Sequence, residues 1–251
     1  MPPKIERQTG VKDLPTGEQL VSSEDGILNR RRIEIPRPPQ DLLEKQALLL
    51  EKGVTVYEAH FLPSISIDDD ARIVKPNPWF YQNIKEKRIS EDALKLPGMW
   101  VLIDGSPKPN YNRGLQMYAN DPHAPTLARL REEGKIAIPD HTKQVPKTSR
   151  FGVSFDEIDS HVAPEEAKRL FETDRRVRVP TEAESVFIGS LYHPELGETN
   201  TWEWRYDKVE DGRRLLGGRS GNGGLAYVDD SWPGHHDVSI GFRLLVEFPQ
   251  K

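Results

Sequence analysis

The chain begins without sustained hydrophobic periodicity: residues 1 to 37 are polar and Pro-rich, and predict an extended or partly disordered arm. The first patterned stretch, "PQDLLEKQALLLEKG", repeats apolar positions at Leu42, Leu43, Ala47 and Leu50. It ends at Gly53, which predicts a short helix stopped by a glycine at its C′ position. "VTVYEAHFLPSISI" alternates instead and predicts a strand pair or a bent strand, with Pro63 confining it to an edge or a break. Met99 to Ile103 is an apolar run closed by Asp-Gly, a strand signal. "TLARLREEG" predicts a short helix capped by Thr126 and stopped by Gly134. "SFDEIDSHV" and "PEEAKRLFETD" read as helices, the second with Pro164 in its first turn. In "VPTEAESVFIGSL" the spacing of Thr181 and Glu184 is that of a capping box, and Phe187 and Leu191 fall on one face of the helix that follows.

The last quarter changes character. "TWEWRYD", "GRRLLGGRSGNGGLAYVDD" and "SIGFRLL" are short strand patterns separated by glycine clusters, an irregular β region rather than a βαβ layout. The chain therefore predicts an α+β protein: a polar arm over 1–37 and one body over 38–251, with no internal repeat.

Composition narrows the function. Among 251 residues there are 21 Pro and 19 Gly, which disfavours a helical bundle. A net charge of −5 gives no long-range attraction to phosphate backbones, so nucleic acid is not an expected partner. The one basic run, Arg30 to Arg32, has no aromatic residues interleaved with it and reads as solvated chain. The absence of cysteine removes disulfides, thiolate metal sites and thiol nucleophiles together. No apolar leader and no membrane-length apolar run is present, so no membrane span is expected and the default location is cytoplasmic.

One stretch, "YVDDSWPGHHDVS" from Tyr227 to Ser239, has no periodicity and abuts the strand pattern "SIGFRLL". Three readings compete for it: a metal site, a solvated loop and a recognition surface. His235 and His236, with Asp229, Asp230 and Asp237 nearby, have metal-ligand chemistry, but adjacent residues of an extended chain point to opposite sides. His60, His123, His141, His161 and His193 show no H-E-x-x-H or H-x-x-x-H spacing. "GGRSGNGG" lacks the lysine and the following helix of a phosphate loop, so its glycines read as turn formers. Nothing in these patterns reads as catalysis, and no cofactor is expected. Trp202 and Trp204 alternate on one strand face, a core position for at least one of them, whereas Trp232 stands alone in a polar loop and could plug it or anchor a ligand.

Four short matches in order point to a family. "RVPTEAE" (Arg178 to Glu184), "TWEW" (Thr201 to Trp204), "RLLGG" (Arg214 to Gly218) and "IGFRLL" (Ile240 to Leu245) resemble the formylglycine-generating-enzyme branch of the C-type lectin fold. The matches cover the last part of the chain and leave the first hundred or so residues unmatched. The oxidase branch of that family works through a copper-binding cysteine pair, which this chain lacks, and the H-x-x-x-H-x-E signature of the related iron-dependent sulfoxide synthases is absent as well. The calcium signatures W-N-D and E-P-N of animal lectins are also missing.

A non-catalytic group of the same fold is closer: the variable proteins of diversity-generating retroelements, in particular those of minimal archaea and candidate bacterial phyla. In that family a reverse transcriptase miscopies a template repeat at adenines, and the altered copy replaces the downstream end of the gene. Asn codons thereby become a broad set of residue types that leaves out Lys, Glu, Gln, Met and Trp. From Tyr227 to Ser239, twelve of thirteen residues are of reachable types, and Trp232 is the exception.

The resemblance implies a non-enzymatic binder of an unknown ligand, expected to be a protein. Its variable ligand face would lie within about 205–239. The residues are Arg205, Tyr206, Arg219, Gly221, Tyr227, Asp229, Asp230, Ser231, Pro233, Gly234, His235, His236, Asp237, Val238 and Ser239, with Gly217, Gly218, Gly241, Phe242 and Arg243 as scaffold. The alternative it leaves open is a divergent or degenerate enzyme of the superfamily using His235, His236 and Asp237 with a metal.

Overall fold

The computed structural model describes residues 15–28, 34–138 and 145–249. The Arg30 to Arg32 run, His141 and most of the segment read as a polar arm lie outside the described residues. Within that arm, however, Gly17–Leu28 forms a helix, α1, with Leu20, Glu24 and Leu28 buried. These three positions recur at helical spacing, but one of them is a carboxylate, so the stripe does not stand out as apolar.

The secondary structure is mixed α and β, built on two four-stranded sheets. The first sheet has the order β1 (Tyr57–Leu62), β2 (Met99–Asp104), β8 (Leu245–Phe248), β3 (Val177–Arg178), antiparallel throughout. β1 is an edge strand that stops before Pro63, where a missing amide costs no ladder bond. The second has the order β6 (Val228–Ser231), β5 (Arg214–Gly217), β4 (Trp202–Lys208), β7 (Ile240–Gly241), with β7 parallel to β4.

Two points of the sequence pattern resolve differently in three dimensions. "SIGFRLLVEF" is not one strand: β7 belongs to the second sheet and β8 to the first, and Phe242 to Leu244 cross between them. Thr126 is not a cap. The helix α4 (Ala124–Glu132) starts two residues earlier, after His123, and Thr126 is buried inside it. Other local signals hold. α2 (Gln40–Glu51) is followed by Gly53 at φ +75°, the left-handed C′ conformation that a side chain disfavours. In α7 (Glu182–Leu191) the Thr181 hydroxyl accepts from the Glu184 amide at 3.2 Å, and the Glu184 carboxylate accepts from the Thr181 amide at 2.7 Å. α5 (Phe155–Glu157) and α6 (Ala163–Arg169) are joined by a π-helical turn into one helical stretch. The remaining helix is α3 (Pro78–Lys85), capped by the Asn77 side chain and packed against β6.

One core lies on the first sheet, where Leu62, Trp100 and Val246 meet Leu42 and Leu49 of α2 and Phe187 of α7. A second lies between the second sheet and the α4 to α6 region, around Trp204, Phe155, Phe242 and Leu130. Both tryptophans of "TWEW" belong to it. Among the described residues, no helix is long and apolar enough to cross a membrane.

Candidate ligand-binding face

The opposite side of β4 from those tryptophans carries charge, and the four sequence motifs interlock there. Glu203 of β4 accepts from Arg243 at 3.0 Å and from the Tyr118 hydroxyl at 2.7 Å. Arg205, two residues on, donates to Glu182 of α7 at 3.1 Å. Arg178 clamps Glu184 through two bonds of 2.7 and 2.8 Å. Gly217 closes the set, since a β-carbon there would stand 2.8 Å from an Arg205 nitrogen and 2.9 Å from a Glu182 oxygen. All these side chains are buried. Burial alone would raise the Glu203 carboxyl, but Arg243, Lys108 and Arg205 overcome it and hold the group well below the usual carboxylate range. Burial pushes Glu182 up to about 7 against the pull of Arg205, with Asp207 adding to the rise.

The segment from Tyr227 to Ser239 is held next to this frame by the pairing of β6 with β5 and by main-chain carbonyls. Tyr227 O accepts from the Gly218 amide at 3.3 Å, Pro233 O from Asp156 at 3.1 Å and Ser239 O from Trp202 at 2.9 Å. The buried Gln116 amide donates to Val238 O. Between these anchors Val228 and Val238 turn inward, and other side chains project. Asp229, Gly234 and His235 are exposed, and Trp232 presents 61 % of its surface. Pro233, His236 and Asp237 are half-buried.

The two histidines diverge. His235 Nδ1 lies 3.0 Å from the Ser231 hydroxyl, while His236 Nε2 lies 2.9 Å from a Glu157 oxygen without the alignment of a hydrogen bond. Asp237 accepts from the amide and hydroxyl of Ser239 at 2.7 and 2.8 Å and so shapes its own turn. Asp230 pairs with Arg213 at 2.5 Å. His235, His236 and Asp237 therefore do not converge on one point.

A second patch adjoins the first along β6. Tyr227 lies on Trp202 with ring centres 5.2 Å apart, and the Arg219 guanidinium stands 5.6 Å from the same indole. Gly221 is exposed in the turn that follows Arg219. Tyr206 is half-buried beneath Arg176 and near Arg214. Arg205 and Val238 are buried, Arg205 in the ion network and Val238 under the loop.

Comparison with known proteins finds no matching family model and no matching curated protein. The site is thus read from its own geometry.

That geometry includes residues that sequence reasoning did not single out. Tyr111, Leu115 and Met117 are exposed apolar side chains, each more than 40 % accessible, on the loop that carries Gln116. The loop runs against the face: a β-carbon on Gly114 would lie 3.6 Å from the Val238 side chain, and the Tyr111 amide donates to Asn200 at 2.6 Å. The available signal was three large apolar residues in a stretch with no strand or helix period. Elsewhere, one group of described residues brings metal-ligand atoms within 4.8 Å of one another: Glu58, His60 and His193.

Proposed function

We propose that the protein is a non-enzymatic ligand-binding protein of the C-type lectin fold, of the formylglycine-generating-enzyme type, whose face within about 205–239 is diversified by a retroelement. The observation that carries this reading is the anchoring of Tyr227 to Ser239 through backbone carbonyls held by Gly218, Gln116, Asp156 and Trp202. Main-chain anchoring is indifferent to side-chain identity, so the exposed positions can change chemistry while the loop keeps its path. The interlocking of the four family-like motifs in one buried network supports the scaffold half of the reading.

Within the face, Tyr206, Arg219, Gly221, Tyr227, Asp229, Asp230, Ser231, Pro233, Gly234, His235, His236, Asp237 and Ser239 supply the contacts. Arg205 and Val238 act from beneath, because both are buried. The mixture of one exposed indole, a tyrosine and an arginine resting on the buried Trp202, imidazoles and acids suits an adaptable contact with a protein surface. The chain's net charge of −5 argues against a nucleic acid ligand.

The test is to sequence the gene and its flanks from several cells of the source population. The reading expects a near-copy of the downstream coding end beside a reverse-transcriptase gene, differing mainly at adenines, with codons 227 to 239 varying between cells. Fixed codons and no such repeat would overturn diversification.

A further inference from the structure

A cluster far along the chain from that face has no role in it. Glu58 and His60 sit two residues apart on the edge strand β1, so their side chains share one side of the sheet. His193 arrives from the end of α7, in the turn just before a short 3₁₀ segment, Pro194–Gly197. Both imidazoles aim Nε2 at the same atom: His193 Nε2 lies 2.9 Å and His60 Nε2 3.3 Å from Glu58 Oε2. Each ring also turns its other nitrogen to a carboxylate. His60 Nδ1 lies 3.0 Å from Glu24 of α1, and His193 Nδ1 lies 2.9 Å from Glu195.

We propose that Glu58, His60 and His193 form a binding site for a divalent cation of the zinc class. Four independent features carry this. The donor set of two imidazoles and one carboxylate is that of three-ligand zinc sites, and ligand atoms about 2.1 Å from a tetrahedral ion stand about 3.4 Å apart, near the two separations from Glu58 Oε2, with all three ligand atoms within 4.8 Å of one another. A carboxylate on the far nitrogen of each ring is the outer-shell arrangement that fixes the tautomer and leaves Nε2 free to ligate. Gly105 makes the approach possible, because a β-carbon there would lie 2.8 Å from Glu58 Oε1 and 3.1 Å from His193 Nε2. Finally, Glu58 and His60 border an open cleft of about 320 Å³ that is also lined by Gln46, whose side-chain oxygen is buried without a hydrogen-bond partner.

His60 and His193 are largely buried, but the Glu58 side chain is 44 % exposed, which leaves the ion a solvent-facing position toward the cleft. A bound cation would replace the protons that otherwise bridge the two Nε2 atoms to Glu58. It would tie the β1 edge to the turn at His193 and, through Glu24, to α1. The site shares no residue with the ligand face, so it stands or falls separately from the proposed function.

The experiment is calorimetric titration of the full-length, chelator-treated protein with zinc chloride, with folding of every variant checked by far-UV circular dichroism. The expected result is one zinc per chain. Binding should weaken at least tenfold in His193→Ala and in Glu58→Gln, and about tenfold or more with retained stoichiometry in Glu195→Gln. His235→Ala/His236→Ala should titrate like the wild type. Glu58→Gln, at a half-exposed position, carries the comparison if His193→Ala does not fold. Absence of a stoichiometric site in the wild type, or unaltered binding in Glu58→Gln, would overturn the assignment and leave the cluster as a proton-held ion network.

Discussion

Arg243 and Glu203 meet at 3.0 Å where the chain crosses from one sheet to the other, both fully enclosed. Arg243 belongs to the segment between β7 and β8, and its guanidinium also donates to the carbonyl oxygens of Asp104 and Ser106. One cation thus satisfies acceptors from β2, β4 and the loop after β2. Removing it strands a buried carboxylate. Arg243→Met is expected to lower unfolding stability by about 3 to 5 kcal/mol, measured as a shift of the urea midpoint at neutral pH. A change below about 1 kcal/mol would mean that Lys108 and Arg205 suffice to hold Glu203 charged.

Lys108 offers a pH test of the same network. Its amine is buried and donates to the carbonyls of Thr201 and Gly218 at 2.8 and 2.6 Å. Burial pushes it down to about 7; Glu203 pulls it up, and Arg205 and Arg243 push it further down. Between that value and about 10.4 in the unfolded chain, the unfolded state binds one more proton than the folded state. Stability from this group therefore rises with pH across that window, by up to about 1.4 kcal/mol per unit. Urea midpoints at pH 7.5 and 9.5 should show wild type gaining on Lys108→Met by a kcal/mol or more, as an order of magnitude. Parallel pH dependences would show that the amine stays protonated in the fold.

Local signals, the Thr126 cap excepted, were legible and long-range ones were not. The Thr181 and Glu184 capping box, the Gly53 stop and the strand from Met99 depend on neighbours within one turn or one run, and they stand where the pattern places them. The α1 helix escaped because its buried stripe includes Glu24, whose partners His60 and Tyr192 lie far along the chain. The switch of "SIGFRLLVEF" between sheets escaped because burial on both sides erases alternation. For the face, absent periodicity beside "SIGFRLL" and the order of the motifs singled out the segment around Trp232, but Arg205 is enclosed because the second sheet is covered on the side of Glu182 as well. Gln116 and Gly105 have no sequence signature at all, since their roles exist only where the chain folds back.

The capping box itself yields a local test. Thr181→Ala deletes the acceptor of the Glu184 amide, and Glu184 is committed to Arg178. The expected loss is about 1 kcal/mol, read from the thermal midpoint, because one orphan amide at the start of α7 loses its partner. Thr181→Ser should restore most of it, as serine supplies the same hydroxyl. Failure of serine to do so would assign the effect to the threonine methyl.

The separation of face from frame makes the strongest demand on stability measurements. If the backbone of Tyr227 to Ser239 is held by its carbonyls, then Asp229→Ala, Trp232→Ala and His235→Ala remove exposed side chains whose hydrogen bonds, from the Asp230 amide to Asp229 and between His235 and Ser231, stay within the loop. Each is expected to change stability by no more than about 0.5 kcal/mol. Trp204→Ala, by contrast, empties a fully buried site whose indole also donates to Val153 O at 3.0 Å, and should cost about 3 to 5 kcal/mol. Gln116→Ala is the contrasting variant, since it leaves every face residue intact but withdraws the donor to Val238 O together with the acceptor of the Asn112 and Gly114 amides, so the exchange readout at Val238 decides. It should lower stability by about 1 to 3 kcal/mol and raise amide exchange in the loop around Val238. If Trp232→Ala instead destabilised the fold as much as Gln116→Ala, the indole would be a plug rather than a contact. The loop would then depend on that one side chain, at the position of the segment whose residue type adenine mutagenesis does not reach.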